Sequence, residues 1–336
     1  MQDSRPNETM IRMGVTASVS GTGDGLHKTA SQACSLAGKT LWGTSADSVR
    51  SEPRERHAIP WWLWWNLLSL DAPTVSIVWA LLFASAQGRR LTLPEEIVLG
   101  LTVWAIYTGD RLLDGWTAQN REALQRRHLF CALHRMPLTC LIGLAAATSL
   151  WVTAEYLAPR EAIAGIILGA MVGAYMFAIH AGGRWIEGIA SKEVVVGVLF
   201  ATGTTLPGWS QGGGFSSDTW ASLDLFALIC FLNCLSIECW ENGHSGDPCH
   251  EMPRHLRWAA SHINFVAAGL ATSSIAILFW FFPKASSRPE LFAIFLAALL
   301  ILVLNRSTSK LSPETLRVLA DAALVVPALI ALLIRK

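Results

Sequence analysis

Apolar residues in this chain gather into long unbroken runs separated by short polar breaks. The runs are roughly 17–25 residues long, the length a helix needs to cross a bilayer. They are predicted at about 71–87, 95–114, 137–158, 161–180, 192–209, 220–240, 258–282, 290–305 and 316–334. The breaks carry Arg89-Arg90, the turn Pro159-Arg160-Glu161, and a Gly/Ser loop over Gln211–Ser217. Residues 115–136 are polar and basic and predict a short helix and loop. The expected architecture is an all-α polytopic membrane protein with nine transmembrane helices. No internal repeat is visible. Residues 1–56 are different: rich in Ser, Thr, Gly and charge, without apolar periodicity. They predict a disordered N-terminal tail, and they lack the uninterrupted apolar core of a signal peptide. The membrane helical domain is therefore expected over 57–336.

Composition agrees with the pattern. Hydrophobic residues make up 52% and charged residues 15% of the 336, where a soluble domain carries about 25% charge. Many of the 15 Trp, such as Trp61, Trp62, Trp64, Trp65, Trp209, Trp220 and Trp240, fall at run ends, where interfacial aromatic belts form. A net charge of +1 recruits no nucleic acid. Seven cysteines with no CxxC pair argue against a disulfide framework. They read as small packing residues.

Charge does add an orientation. Arg111, Arg121, Arg126, Arg127, Arg135, Arg184, Lys192, Arg254, Arg257, Arg306, Lys310 and Arg317 fall after even-numbered spans, together with the N-terminal tail. The opposite side holds only Arg89, Arg90, Arg160, Lys284, Arg288, Arg335 and Lys336. The positive-inside rule then puts the N-terminus in the cytoplasm. It also puts the ends of spans 2 and 6 on one face.

Those two ends carry the candidate chemistry. Span 2 closes with Tyr107-Thr-Gly-Asp110-Arg111-Leu-Leu-Asp114. Asp110 and Asp114 are four residues apart and share a helical face. Ionisable groups at membrane depth are costly and face a cavity or a partner. Span 6 closes with Asn233, Glu238 and Glu241, and Asp247 follows a Gly-containing turn. Two acidic clusters on one side repel unless a cation lies between them. Mg²⁺ takes one or two carboxylates plus phosphate oxygens. The metal ligands expected are Asp110, Asp114, Glu238, Glu241 and Asp247. Tyr107, Arg111, Arg126, Arg127, Lys192 and Asn233 are the expected contacts to a diphosphate. Asp71 and Asp321 read as helix-start or packing groups.

With these motifs the chain resembles the UbiA superfamily of intramembrane prenyltransferases. Asp110-Arg111-Leu-Leu-Asp114 is similar to the latter part of the family's first Asp-rich motif, NDxxDxxxD. Lys192-Glu193-Val-Val-Val-Gly197, Thr202-Gly-Thr-Thr-Leu-Pro207 and Leu319-Ala-Asp321-Ala-Ala-Leu324 have the family's flavour as well. Ile106-Tyr107 stand where the family has Asn-Asp, and Glu238, Glu241 and Asp247 stand in for a DxxxD motif with different spacing. The resemblance covers about residues 60–336. It implies a nine-helix bundle around a central cavity, with Mg²⁺ and a prenyl diphosphate at its cytosolic end. It further implies transfer of the isoprenoid group to a hydrophobic acceptor, within a bacterial inner (cytoplasmic) membrane. Such chemistry needs no protein nucleophile.

Other readings stay open on the residues alone. A catalytically silent member of the fold would bind a lipid or scaffold a pathway. Cys239, His244, Cys249, His250 and His255 crowd one loop and could hold a transition metal or serve haem handling. A transporter would share the cavity and the intramembrane charges, but it would be expected to show paired broken helices.

Overall fold

The computed structural model describes residues 60–117, 126–182, 191–209, 217–242, 254–281 and 288–335. The expected disordered tail at 1–56, and Asp247 with the loop residues His244, Cys249 and His250, lie outside them. Among the described residues the fold is helical throughout, and no strand occurs. A short α1 (Leu63–Leu67) precedes α2 (Asp71–Ala86) and α3 (Leu93–Thr117). Next come α4 (Arg126–Leu133), α5 (Arg135–Tyr156), α6 (Pro159–Gly182), α7 (Lys192–Trp209) and α8 (Ser217–Asn242). The chain ends with α9 (Arg254–Ser261), α10 (Ile263–Ala276, prolonged by a π turn over Ile277–Phe281), α11 (Arg288–Asn305) and α12 (Pro313–Arg335).

Helices occupy all nine predicted runs. Five of them, α5, α6, α8, α10 with its π turn, and α12, are long and apolar enough to cross a membrane. α2 and α11 are apolar but shorter, and α3 and α7 carry charges at their ends. The chain is thus an integral membrane protein by its apolar helices. The surface supports this. Ile163, Ile166, Ile167, Met171 and Phe177 of α6 are all exposed, an arrangement hydrocarbon tolerates and water does not.

Two boundaries differ from the sequence expectation for local reasons. α3 begins at Leu93, where the Glu95 side chain reaches back to Thr92 and forms one half of a capping box. The Glu95 carboxylate accepts from the Thr92 backbone N–H at 2.7 Å and from its hydroxyl at 3.0 Å. Arg89 pairs with the same carboxylate and donates to the Pro207 carbonyl, tying this end of α3 to α7. The seventh run starts later than expected: α9 stops at Ser261, and α10 starts anew after His262. Arg254 and Arg257 keep α9 polar, so it forms a separate short helix.

The core lies where α2, α8, α11 and α12 meet. Trp79, Phe83 and Phe226 are fully buried. Trp79 stacks on Phe226 at 4.3 Å between ring centroids. The Trp79 indole N–H donates to the Leu324 carbonyl at 3.1 Å. Pro327 lies three residues on within α12. A proline there disturbs the helical ladder and loosens carbonyls one turn back. The indole donor from α2 takes up one of them.

Candidate functional site

The face Asp110–Asp114 predicted for α3 meets α7 and α6. The Lys192 ammonium, at the first residue of α7, donates to the Asp110 carboxylate at 3.2 and 3.3 Å and stands 3.9 Å from Asp114. His180, in the last turn of α6, places Nε2 3.8 Å from Asp114. One ligand atom each from Asp110, Asp114 and His180 lie within 4.8 Å of one another, close enough to share a metal ion. Two carboxylates and one imidazole form a mixed donor set. The oxygens suit a hard cation, while the nitrogen widens the choice toward Mn²⁺, Fe²⁺ or Zn²⁺.

Arg111, the residue after Asp110, points the other way. It is 2% exposed and sits in the core. Its Nη1 donates to the Asn66 carbonyl at 2.5 Å and to the Ser69 hydroxyl at 3.0 Å. Its Nη2 donates to the Tyr107 hydroxyl at 2.7 Å and to Asp71 Oδ2 at 3.1 Å. The guanidinium also stacks over the Tyr107 ring at 4.1 Å. Ser69 adopts a positive φ of 59°, uncommon for a residue with a Cβ. It marks the sharp turn from α1 to α2 that brings the Asn66 carbonyl and the Ser69 hydroxyl to one cation.

A third cluster lies beside these two. Arg127 of α4 holds the Glu241 carboxylate at the end of α8 in a two-pronged pair, at 2.9 and 3.2 Å. Arg317 of α12 reaches the same carboxylate at 3.0 Å. Arg126 pairs with Glu314 at 3.3 Å. These five side chains, with Leu63, Asn66, Leu67 and Pro313, line a cavity of about 240 Å³. Three guanidiniums against two carboxylates leave it an excess positive charge. α3 and α4 pass closely, a Cβ at Gly115 falling 3.1 Å from the His128 carbonyl oxygen, and Arg127 is within electrostatic reach of Asp114 and Tyr107. His128, next to Arg127 and taking its Nε–H at 3.1 Å, has its imidazole pushed down to about 4 by burial first and the Arg127 charge second.

The predicted set therefore divides. Asp110, Asp114 and Lys192 come together. Arg126, Arg127 and Glu241 line the adjacent cavity, while Tyr107 and Arg111 go to the core. Asn233 donates to Asp321 at 3.4 Å. Glu238 stands one turn beyond Cys234 on α8 and within its electrostatic reach. Asp247 lies outside the described residues, as do Cys34 and Cys249, and Cys131, Cys140, Cys230 and Cys234 are free thiols. Sequence reasoning did not single out His180, Arg317 or Asn66 for the site. The available signal was position: His180 ends an otherwise apolar run, and Arg317 opens one. Compared with known proteins, the chain matches no family model, and no curated protein or solved structure is similar to it.

Proposed function

We propose that this chain is a UbiA-like intramembrane prenyltransferase that moves an isoprenoid group from a prenyl diphosphate to a hydrophobic acceptor with Mg²⁺ assistance. In this reading all nine long helices cross a bacterial inner membrane, with the N-terminus in the cytoplasm. The observation that carries it is the side-by-side placement of two unlike half-sites. Asp110 and Asp114, with His180, offer ligands to a cation. Next to them, Arg126, Arg127 and Arg317 line a cavity fit for an anion. A magnesium diphosphate presents both charges at once.

The donor set fits Mg²⁺ through its two carboxylates, the remaining positions falling to phosphate oxygens and water. Bound there, Mg²⁺ would lower the cost of negative charge on the departing diphosphate. The arginines would hold phosphate oxygens and orient the leaving group. Apolar helix faces would exclude water while carbocation character develops at the allylic carbon. An acceptor carbon or oxygen would then attack. No catalytic side chain is assigned.

One observation favours a second reading, a catalytically silent lipid-binding or scaffold protein of the same architecture. Lys192 already pairs with Asp110 and stands 3.9 Å from Asp114, and two arginines already hold Glu241. The deciding experiment is binding of prenyl diphosphates of several chain lengths to the purified protein, with and without Mg²⁺, followed by product analysis. Mg²⁺-dependent binding that Asp110→Asn and Asp114→Asn abolish supports the site. Binding without turnover across acceptors supports the silent reading. No binding at any chain length by folded wild-type protein overturns the proposal.

A further inference from the structure

The buried polar cluster around Arg111 contains more acid than its one cation balances. Asp71 opens α2 and is 4% exposed. Its Oδ2 takes three donors: the Asn66 amide at 2.7 Å, Arg111 Nη2 at 3.1 Å and the Tyr107 hydroxyl at 3.2 Å. Its Oδ1 is buried and takes none. Asp321, one turn before the Leu324 carbonyl held by Trp79, places its carboxyl within hydrogen-bonding reach of Asp71. Its Oδ1 accepts from the Asn233 amide. Its Oδ2 is buried and takes no donor either. Each carboxyl group thus satisfies one oxygen with a donor and leaves the other bare.

Two ionised carboxylates are acceptors only. Brought into hydrogen-bonding contact inside a membrane domain, they repel. The charged and titratable groups facing them are few. Arg111 and Tyr107 face them from α3, with Arg127 of α4 reaching Tyr107 and Cys234 of α8 near Asp321. Lys192 and Glu193 of α7, opposite in charge, and Glu238 of α8 reach Cys234. Arg111 supplies one positive charge against two negative ones. The deficit is one unit charge, and the two carboxyl groups, each with one bare oxygen, are within reach of each other.

We propose that Asp71 and Asp321 form a proton-holding carboxyl pair, with one proton bridging the two side chains. Asp71, facing Arg111, is the carboxylate. Asp321, whose Oδ1 accepts from the neutral Asn233 amide, is the carboxylic acid and donates to Asp71. The pair closes the charge balance of the core and holds Tyr107 and Arg111 in place behind Asp110. Asp71 and Asp321 are positioning residues in this account. Neither Asp110 nor Asp114 takes part in the pair, which serves the core whether or not the chain is a transferase.

The test is infrared spectroscopy of the full-length purified protein carrying isotope-labelled aspartate, at neutral pH. Wild type should show a carboxylic-acid carbonyl stretch that moves with the label. Asp321→Asn should abolish that band and still fold, because its amide can donate to Asp71 in the proton's place. Asp321→Leu should lower the thermal midpoint, since it strips Asp71 of that donor and leaves the Asn233 amide bare. The wild-type spectrum needs no variant to fold: absence of a labelled carboxylic-acid band overturns the proposal. A band that survives Asp321→Asn also overturns it. So does a thermal midpoint that rises with Na⁺ but not with an organic cation at equal ionic strength, because a metal cation then takes the proton's place.

Discussion

Gly197 joins the packing of the bundle to the geometry of the acidic pair. It lies on α7, five residues after Lys192, where α7 and α8 pass closely. A Cβ built at Gly197 would stand 3.0 Å from the Ala227 carbonyl oxygen, 3.0 Å from the Phe231 backbone nitrogen and 3.3 Å from the Phe231 Cα. These are backbone atoms of α8, so no side chain can swing aside. Gly197→Ala must therefore push the two helices apart. Overpacking of this kind costs typically 1–3 kcal/mol. Two other glycines calibrate the effect. At Gly203 the nearest atom is the flexible Leu168 Cδ2 at 3.3 Å, and at Gly143 nothing lies within 4 Å. Denaturant unfolding of the detergent-solubilised protein should rank the alanine variants accordingly. Gly143→Ala should be neutral or slightly stabilising, Gly203→Ala mildly destabilising, and Gly197→Ala destabilising by about 1–3 kcal/mol. The displacement should also move Lys192 relative to Asp110, so divalent-cation binding should change in Gly197→Ala and not in Gly143→Ala. Equal stability of Gly197→Ala and Gly143→Ala would refute the close α7–α8 packing.

Lys192→Met should raise Mn²⁺ or Mg²⁺ affinity roughly tenfold, about 1.4 kcal/mol, because the ion no longer competes with the ammonium. Titration calorimetry reads this directly, and unchanged affinity means that Lys192 is no competitor for the acidic pair. His128 gives a pH dependence. Its folded value of about 4 lies below the ordinary 6.5, so its contribution is fully present above about pH 6.5 and is lost as pH falls toward 4. The difference in stability between wild type and His128→Gln should therefore shift against wild type across that window, by at most about 3 kcal/mol, less for its residual exposure; a pH-independent difference would count against a buried neutral imidazole. Arg317→Gln should weaken binding of inorganic diphosphate to the arginine cavity and leave Mn²⁺ binding at Asp110–Asp114 intact. Loss of both together would mean that the half-sites are not separable.

The helices were legible because the signal is one-dimensional. A run of about 20 apolar residues fixes where a span can be, whatever surrounds it. The four-residue spacing of Asp110 and Asp114 likewise fixed a shared face. Their neighbours were not legible. The sequence expectation paired them with Glu238 and Glu241 because both ends exit on one side. Which helix lies against that face depends on packing across the bundle, and there the named contacts come from Lys192 and His180. Glu241 went to Arg127 and Arg317, two of the residues counted for topology. Asp71 and Asp321 illustrate the same limit. Each reads singly as an isolated polar residue near a helix start. The packing of α2 against α12, marked by the Trp79–Leu324 hydrogen bond, is what the proposed pairing of the two depends on.

Charge arithmetic joins two of the three clusters. Asp110 and Asp114 with Lys192 sum to −1, while Arg126, Arg127 and Arg317 with Glu241 and Glu314 sum to +1. Each is incomplete in the opposite sense, and the two lie side by side. A structural ion-pair network would be expected to cancel its charges locally, since uncompensated charge at membrane depth is expensive. Here Arg127 stands within reach of Asp114, yet its two guanidinium nitrogens are given to Glu241. The positive half is thereby held back from neutralising the negative one. A ligand that carries a cation on one side and an anion on the other completes both halves in one step, and neither a bare metal ion nor a bare phosphate does. That separation is the physical ground for preferring a metal–diphosphate over an ion pair that serves the fold alone. It also makes the preference testable, because Mg²⁺ and diphosphate should then bind with positive coupling, each raising the other's affinity by the same factor. Independent binding of the two, measured by titrating each in the presence of the other, would leave the clusters as unrelated features of one membrane face.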